Sequence, residues 1–312
     1  MNALVIALRW LGARATLILP VSLGIGLLFQ DLAAAARPFV FPLAVALMTM
    51  ALARIDWLRV KALLSSPALP IALSLANLVL VPLIVWPIWQ LLGVWPGLVA
   101  ALCLSAMAPG LISAATTAAF LRLDSSLALM ITLLTNFLVP FTLPPLALWL
   151  LGLDLKLGVL DLAGRLAVIV SFAAVLAYVI RRWLGPARLE ANASTLDGVS
   201  VLVLMLFAVP LMDGIVARAV ADPTKLAGFV AAAFAGMMLC NLVMVAASWP
   251  FLDRRDALTA GYCSSGRHNA LLMAVLPASV DPDIFLFIAA VQFPIYMIPA
   301  LLQPLYRRLL PS

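Results

Sequence analysis

The chain is a succession of long apolar runs, each bounded by charged residues or by Pro and Gly. A helix needs about 20 apolar residues to cross the hydrocarbon core of a bilayer. Applied along the chain, this spacing predicts ten membrane-spanning segments. They are residues 12–30, 38–53, 68–93, 97–121 and 125–151, followed by 158–181, 197–217, 224–250, 256–279 and 283–306. The pattern therefore predicts an all-α polytopic membrane protein.

Composition agrees with this class and excludes several others. Hydrophobic residues make up 66% of the chain and charged residues only 10%, whereas a soluble domain has about a quarter charged residues. The basic residues lie at segment ends and do not form a patch with interleaved aromatics, so we expect no nucleic-acid partner. No phosphate-binding loop, dinucleotide fingerprint, metal-binding helix or catalytic triad pattern occurs, so we expect neither an enzyme nor a cofactor.

The distribution of Lys and Arg predicts the orientation in the membrane. Cytoplasmic loops are enriched in these residues, and one set of loops and ends carries thirteen of the nineteen. These are Arg9, Arg14, Arg54, Arg59, Lys61, Arg122, Arg181, Arg182, Arg188, Arg254, Arg255, Arg307 and Arg308. We therefore expect both termini in the cytoplasm, in the cell (inner) membrane, with the amino-terminal segment retained.

The two halves of the sequence share an order of features. Asp124 precedes a run that reaches Asn136, and Asp281 precedes a run that reaches Gln292, each run being punctuated by Pro. Five spans in each half place the second half upside down relative to the first, which is the inverted-repeat architecture of many secondary transporters. We therefore predict repeats at 1–152 and 153–312 that together form one transport unit.

Two polar, helix-breaking clusters interrupt the fourth and ninth segments. The first covers residues 108–117 and contains Pro109 and Gly110, and the second covers 263–269. Irregular backbone at membrane depth is tolerated only where protein or a water-filled cavity surrounds it. Both segments are therefore predicted to be broken helices whose breaks carry the function.

At these breaks the sequence resembles the bile acid:sodium symporter family, within the wider group of bile acid, arsenite and riboflavin transporters. The resemblance lies in Pro109 and Gly110 with the Ser and Thr residues after them, in 122–132, and in 266–272. It implies ten helices in a panel domain and a core domain, with broken helices 4 and 9 crossing near the midplane. The first, second, sixth and seventh segments would form the panel, and transport would proceed by alternating access.

The chain departs from the family where sodium would bind. The resemblance places an acidic residue at Ser264, a Gln at His268 and an Asn at Ala115. Only Thr132, Asn269 and the backbone then remain as weak sodium ligands, and a nearby guanidinium disfavours a cation further. Coupling to sodium, coupling to protons and uncoupled movement therefore all stay open.

Arg267 is the first candidate for binding substrate. An arginine inside a membrane is costly unless it faces a cavity, a counter-ion or a substrate. We expect it to capture an anion, and the structural alternative is a permanent pairing with an acidic residue or with carbonyl groups. His268, the only histidine, is a candidate for proton coupling or a neutral group that satisfies the broken backbone.

The leading hypothesis is a secondary transporter of a small organic anion that works as a monomer or homodimer among membrane lipids. The alternatives are a channel or sensor that retains the transporter fold and, far behind, an intramembrane enzyme. Asn136 and Gln292 are predicted either to line the cavity or to join helices. The full predicted substrate site is Arg267, His268, Asn269, Ser264, Ser113, Thr116, Thr117, Asn136 and Gln292.

Overall fold

The computed structural model describes residues 3–55, 67–111, 113–152, 158–276 and 280–310. Within these ranges the chain is helical and forms no strand. The first eight helices are α1 Ala3–Ala13, α2 Ala15–Leu28, α3 Gln30–Ala53, α4 Ala68–Leu91, α5 Pro96–Met107, α6 Ala114–Phe120, α7 Ser125–Leu151 and α8 Val159–Leu184. The next eight are α9 Pro186–Ala191, α10 Ala193–Leu211, α11 Ile215–Ala221, α12 Pro223–Ser248, α13 Arg254–Ser265, α14 Asn269–Val275, α15 Pro282–Ala290 and α16 Gln292–Leu309.

Six of these helices, α3, α4, α7, α8, α10 and α12, are long and apolar enough to cross a membrane. A seventh is counted if Pro282–Ile295 and Met297–Leu309, which meet at a bend of 44°, are taken as one span. The protein is thus a polytopic helical membrane protein, and the six helices fall on the second, third, fifth, sixth, seventh and eighth predicted segments. The fourth and ninth segments are each divided into two shorter helices.

Some predicted boundaries were wrong. The loop expected before the second segment is helical, because α3 begins at Gln30 and passes through a 3₁₀ turn at Arg37–Phe39. The first segment contains α2, which begins only at Ala15 after a turn at Arg14. Ala-rich sequence with few turn formers continues the helix through 31–36, although Asp31 and Arg37 mark a polar boundary.

Aspartates set the start of three helices. The side chain of Asp124 accepts hydrogen bonds from the N–H groups of Ser126 and Leu127, at 2.8 and 2.9 Å. Asp253 and Asp281 act in the same way at the first turns of α13 and α15. A carboxylate at this position satisfies N–H groups that have no helical partner. Asp124 and Asp281 are the two residues whose correspondence suggested the repeat.

The chain divides into two compact units, and each unit draws on both halves of the sequence. The first unit is Met1–Asp56 with Ala167–Pro223, and the second is Trp57–Leu166 with Thr224–Ser312. The first unit therefore contains the first, second and seventh predicted segments and most of the sixth. The second unit contains the remaining segments, including both broken ones.

Arginines in the first unit bind helix ends and acidic partners. Arg181 donates to the backbone oxygens of Ala53 and Ile55, at 2.8 and 2.7 Å, where α3 ends. Arg37 pairs with Asp213 at 3.1 Å. The carboxylate of Asp213 therefore has a basic partner within the first unit.

Candidate functional site

The two helix breaks cross as short extended segments inside the second unit. α5 ends at Met107 and α13 at Ser265, and the residues that follow each helix are extended. The N–H of Leu111 donates to the oxygen of Gly266 at 3.0 Å, and the N–H of His268 donates to the oxygen of Pro109 at 2.8 Å. These bonds form an isolated antiparallel bridge. Each break thus satisfies backbone groups that the other would leave unpaired in an apolar environment.

α7 fixes the first break from the side. Thr135 accepts a hydrogen bond from the N–H of Gly110 at 3.1 Å, and the amide of Asn136 donates to the oxygen of Gly110 at 3.0 Å. The hydroxyl of Thr132 donates to the oxygen of Leu111 at 3.4 Å. Thr132, Thr135 and Asn136 are all buried. Asn136 therefore joins α7 to the break.

Replacing Thr135 by Val is expected to destabilise the protein by about 1–3 kcal/mol, the usual cost of a buried donor left without a partner. Val keeps the shape of Thr but cannot accept the bond from Gly110. The matched control is Thr142→Val on the same helix, because the one described hydrogen bond of the Thr142 hydroxyl is to Leu138 of its own helix. Thermal unfolding of both purified variants measures the difference, and equal melting temperatures would contradict the role given to Thr135.

Arg267 is the charged residue at the crossing, and its side chain points into the protein. Its guanidinium donates to the backbone oxygen of Ala108 at 3.0 Å, to that of Asn77 at 3.1 Å and to the hydroxyl of Ser264 at 3.1 Å. Only 2% of the residue is exposed. The three acceptors come from α4, from α13 and from the break after α5, so this one side chain connects three elements.

The oxygen of Asn77 is available to Arg267 because of a local feature of α4. A π-helical turn covers Ala76–Leu80, and in it the N–H of Val81 bonds to the oxygen of Ala76. In a regular α-helix that N–H would bond to Asn77. The next donor in the π pattern would belong to residue 82, and Pro82 has no N–H. The turn and the proline together leave this carbonyl without a partner inside the helix.

No carboxylate balances the charge of Arg267 at close range. None of the ion pairs in the described part of the chain involves it. Its acceptors lie at the C-terminal ends of α5 and α13 and on the π turn, and a helix carries about half a negative charge at its C-terminal end. Carbonyl dipoles therefore offset part of the guanidinium charge, as in the structural alternative for this residue, and the rest of the charge is left without a described carboxylate partner.

The other residues of the second break form its capping structure. The Nδ1 atom of His268 accepts a hydrogen bond from the N–H of Leu271 at 3.2 Å, so the imidazole caps α14. The amide of Asn269 donates weakly to the oxygen of Arg267 at 3.4 Å. The amide of Gln292 donates to Ile288 of the preceding turn and, among the described contacts, not to the break. An imidazole that accepts through Nδ1 is not fully protonated.

Among the described hydrogen bonds, none joins the Ser and Thr residues after the first break to Arg267, Ser264 or Asn269. Ser113 is exposed, and the hydroxyl of Thr117 donates to its backbone oxygen at 3.1 Å. Thr116 belongs to α6, but its side chain lies outside the described part of the structure. Of the predicted substrate residues, the structure brings together Arg267, Ser264, His268 and Asn269 at one break. Asn136 holds the other break.

Among the described residues, Arg267 lines only a small cavity. The space beside it is a cavity of about 10 Å³, with Ser105, Cys240 and Ser265 in its lining, which is room for about one water molecule. Several buried polar atoms near the breaks have no partner among the described residues. They are the Nε atom of Arg267, the Oδ1 atom of Asn269, both side-chain polar atoms of Asn77 and the hydroxyl of Ser74. Buried polar groups usually have partners, so these atoms mark a place where water, an ion or a solute can bind.

The sequence analysis did not select Asn77 or Thr135 as functional residues. Asn77 interrupts the apolar run of the third segment, and Pro82 follows it five residues later. In a regular α-helix Pro82 would remove the donor for the oxygen of Leu78, and only the π turn shifts this missing donor to Asn77. The sequence pattern therefore did not point to the Asn77 oxygen. Thr135 precedes Asn136 directly and gave no separate signal.

The sequence was also compared with known proteins. No protein-family model matches it, and no curated protein matches it closely enough to support an assignment.

Proposed function

We propose that the protein is a secondary transporter of a small organic anion and that it works by alternating access. The observation that carries the proposal is the antiparallel crossing of two broken helices in one unit. Secondary transporters of the inverted-repeat type bind solutes where discontinuous helices meet. A crossing of this kind costs regular helical bonds, and a purely structural helix pair would have no reason to accept that cost.

The architecture of the proposal follows from the sequence pattern and the resemblance. It has ten spans in two inverted repeats, 1–152 and 153–312, with a panel and a core. The division into two compact units supports it, since the unit without the breaks combines the segments expected in the panel. The orientation with both termini in the cytoplasm rests on the distribution of Lys and Arg.

Arg267 gives the site its preference for anions. Its charge is buried and no carboxylate balances it closely, so the potential at the crossing favours a negative solute. The three hydrogen bonds to protein oxygens hold the guanidinium in place. An anion is therefore attracted by the field of a fixed charge, and it contacts the guanidinium directly only if alternating access opens the crossing.

Transport and its coupling are tested together by uptake into proteoliposomes. Purified protein is reconstituted, labelled organic anions are supplied outside, and sodium and proton gradients are imposed one at a time. We expect saturable uptake of at least one carboxylate or oxyanion. No saturable uptake, with or without a gradient, would reject the transporter and favour a sensor. Uptake that does not saturate would favour a channel.

The role of His268 is measured separately. Replacement by Asn keeps a side chain that can cap α14 but removes the only imidazole of the chain, the group that could carry a proton. If His268 couples protons, we expect His268→Asn to fold normally and to lose the response of uptake to a proton gradient. An unchanged response would show that the imidazole only caps the helix, and His268→Leu, which cannot cap, would then lower the melting temperature without altering the coupling.

A further inference from the structure

We propose that Arg267 is a tethered cation that fills a cation site at the crossing, and that removing its side chain opens this site to a free monovalent cation. The site consists of the backbone oxygens of Asn77 and Ala108 and the hydroxyl of Ser264. Such binding does not depend on which solute is transported, or on whether any is.

The first argument is the chemistry of the acceptors. The three backbone and hydroxyl acceptors of the guanidinium are oxygens, between 3.0 and 3.1 Å from its nitrogens, and the thiol of Cys240 lies beside it in the cavity lining. None of them has a formal charge. Carbonyl and hydroxyl oxygens without a carboxylate suit a monovalent cation better than a divalent one, because a divalent ion needs more compensating charge. Unwound backbone and helix C-terminal ends are where membrane transporters coordinate such ions.

The second argument is that these oxygens cannot find other donors. The π turn and Pro82 leave the Asn77 oxygen unpaired inside α4, and Ala108 lies beyond the last turn of α5. These oxygens lie in a buried region, and the cavity beside Arg267 has room for about one water molecule. Without a cation, the ends of two helices would present partial negative charges to one another. The fold therefore requires a positive group at this point, and Arg267 supplies it covalently.

The third argument is the set of unpaired polar atoms around the guanidinium. The side chain of Asn77 is fully buried, and both its polar atoms lack partners among the described residues. The Oδ1 atom of Asn269 also lacks a partner among the described residues. Asn77 supplies one of the three acceptors, and Asn269 lies two residues after Arg267. The unpaired oxygens of these two side chains can therefore contribute to the coordination of an ion once the arginine side chain is gone.

The test compares the thermal stability of Arg267→Met and wild-type protein in detergent, in sodium, potassium and choline chloride at equal ionic strength. Met occupies a similar volume without charge. We expect Arg267→Met to melt several degrees higher in sodium or potassium than in choline, with a saturable dependence on concentration, because a ligand that binds only the folded state stabilises it. Wild-type protein and Arg267→Lys, which keep a tethered charge, should show no such difference.

A second variant and a matched control make the test specific. Arg267→Ala leaves more space, and free guanidinium at millimolar concentration is expected to raise its melting temperature but not that of wild type. Arg165 of the same unit donates to a single carbonyl, that of Val275, so Arg165→Met should gain no dependence on cations. If Arg267→Met melts at the same temperature in all three salts, or if neither Arg267 variant folds with any cation present, the proposal is wrong.

The outcome is separable from that of the proposed function. If the protein transports no solute and Arg267→Met binds a cation, the tethered-cation proposal is supported and the transporter proposal is rejected. If anions are transported and no Arg267 variant responds to cations, the transporter proposal is supported and the tethered-cation proposal is rejected. Arg267 would then act only in binding the anion.

Discussion

An Arg267→Gln variant is expected to lose about 100-fold in apparent affinity for anionic solutes. At about 6 Å and an effective dielectric constant of about 20, a unit charge attracts an anion by roughly 3 kcal/mol. Each ~1.4 kcal/mol corresponds to a factor of ten in affinity. The Arg267 charge is buried and lies in no described ion pair, so solvent screens it weakly. The measurement is the concentration dependence of labelled uptake, or of thermal stabilisation by the same anions.

Two variants control for indirect effects of this change. Arg267→Lys keeps the charge with different geometry and should retain most of the affinity. Arg165→Gln removes a positive charge from another place in the same unit, where the guanidinium reaches only one carbonyl, and should change affinity by much less. If Arg267→Gln folds and binds anions as the wild type does, the arginine has no part in substrate recognition.

A Gly198→Ala substitution is expected to have the largest effect on stability and to lower the free energy of unfolding by about 3 kcal/mol, the upper end of the usual cost of overpacking. A Cβ atom at Gly198 would overlap the backbone oxygen of Leu8, and one at Gly12 would come within 2.9 Å of the Gly198 nitrogen. α1 and α10 therefore pack backbone to backbone at these glycines, as small residues allow in membranes. Because the overlapping atom belongs to the backbone, a rotamer change cannot relieve the clash, and the two helices must separate.

The control for Gly198→Ala is Gly24→Ala, in the same unit. Gly24 lies in α2, and a Cβ atom there would meet nothing within 4 Å. Ala is the better helix former by about 1 kcal/mol, so this variant should be neutral or slightly more stable. Thermal unfolding in one detergent compares both with the wild type. A melting temperature of Gly198→Ala close to that of Gly24→Ala would mean that the close packing of α1 on α10 is not present in solution.

The positions of the long helices could be predicted because their cause is local. Segments such as 68–93 and 125–151 are apolar over the length that a bilayer requires, and the structure has Ala68–Leu91 and Ser125–Leu151. The helix start after Asp124 could also be predicted from the sequence, since an aspartate before an apolar run is a typical N-cap. The prediction was wrong at 31–37, where a polar boundary did not interrupt the helix, because charged residues at an exposed helix position cost little.

The site could be predicted only in part. Pro109, Gly110 and Gly266 cannot continue a regular helix at those positions without cost, so the breaks followed from the sequence. That the breaks pair with each other through Gly110 and Arg267 did not follow, because backbone pairing between residues 157 positions apart depends on how α5 and α13 approach. Asn77 was missed for the same reason, since its carbonyl matters only once Arg267 is beside it.

By itself the sequence determined the class of the protein, most of its helices and the location of two breaks, because hydrophobic length, proline and glycine act within a few residues of the chain. Only the tertiary structure decided what surrounds Arg267. The acceptors of its guanidinium are backbone oxygens of Ala108 and Asn77, with one hydroxyl from Ser264. Every residue has a backbone oxygen, so no residue type identifies such acceptors, and only the packing of three separate elements brings them to the charge.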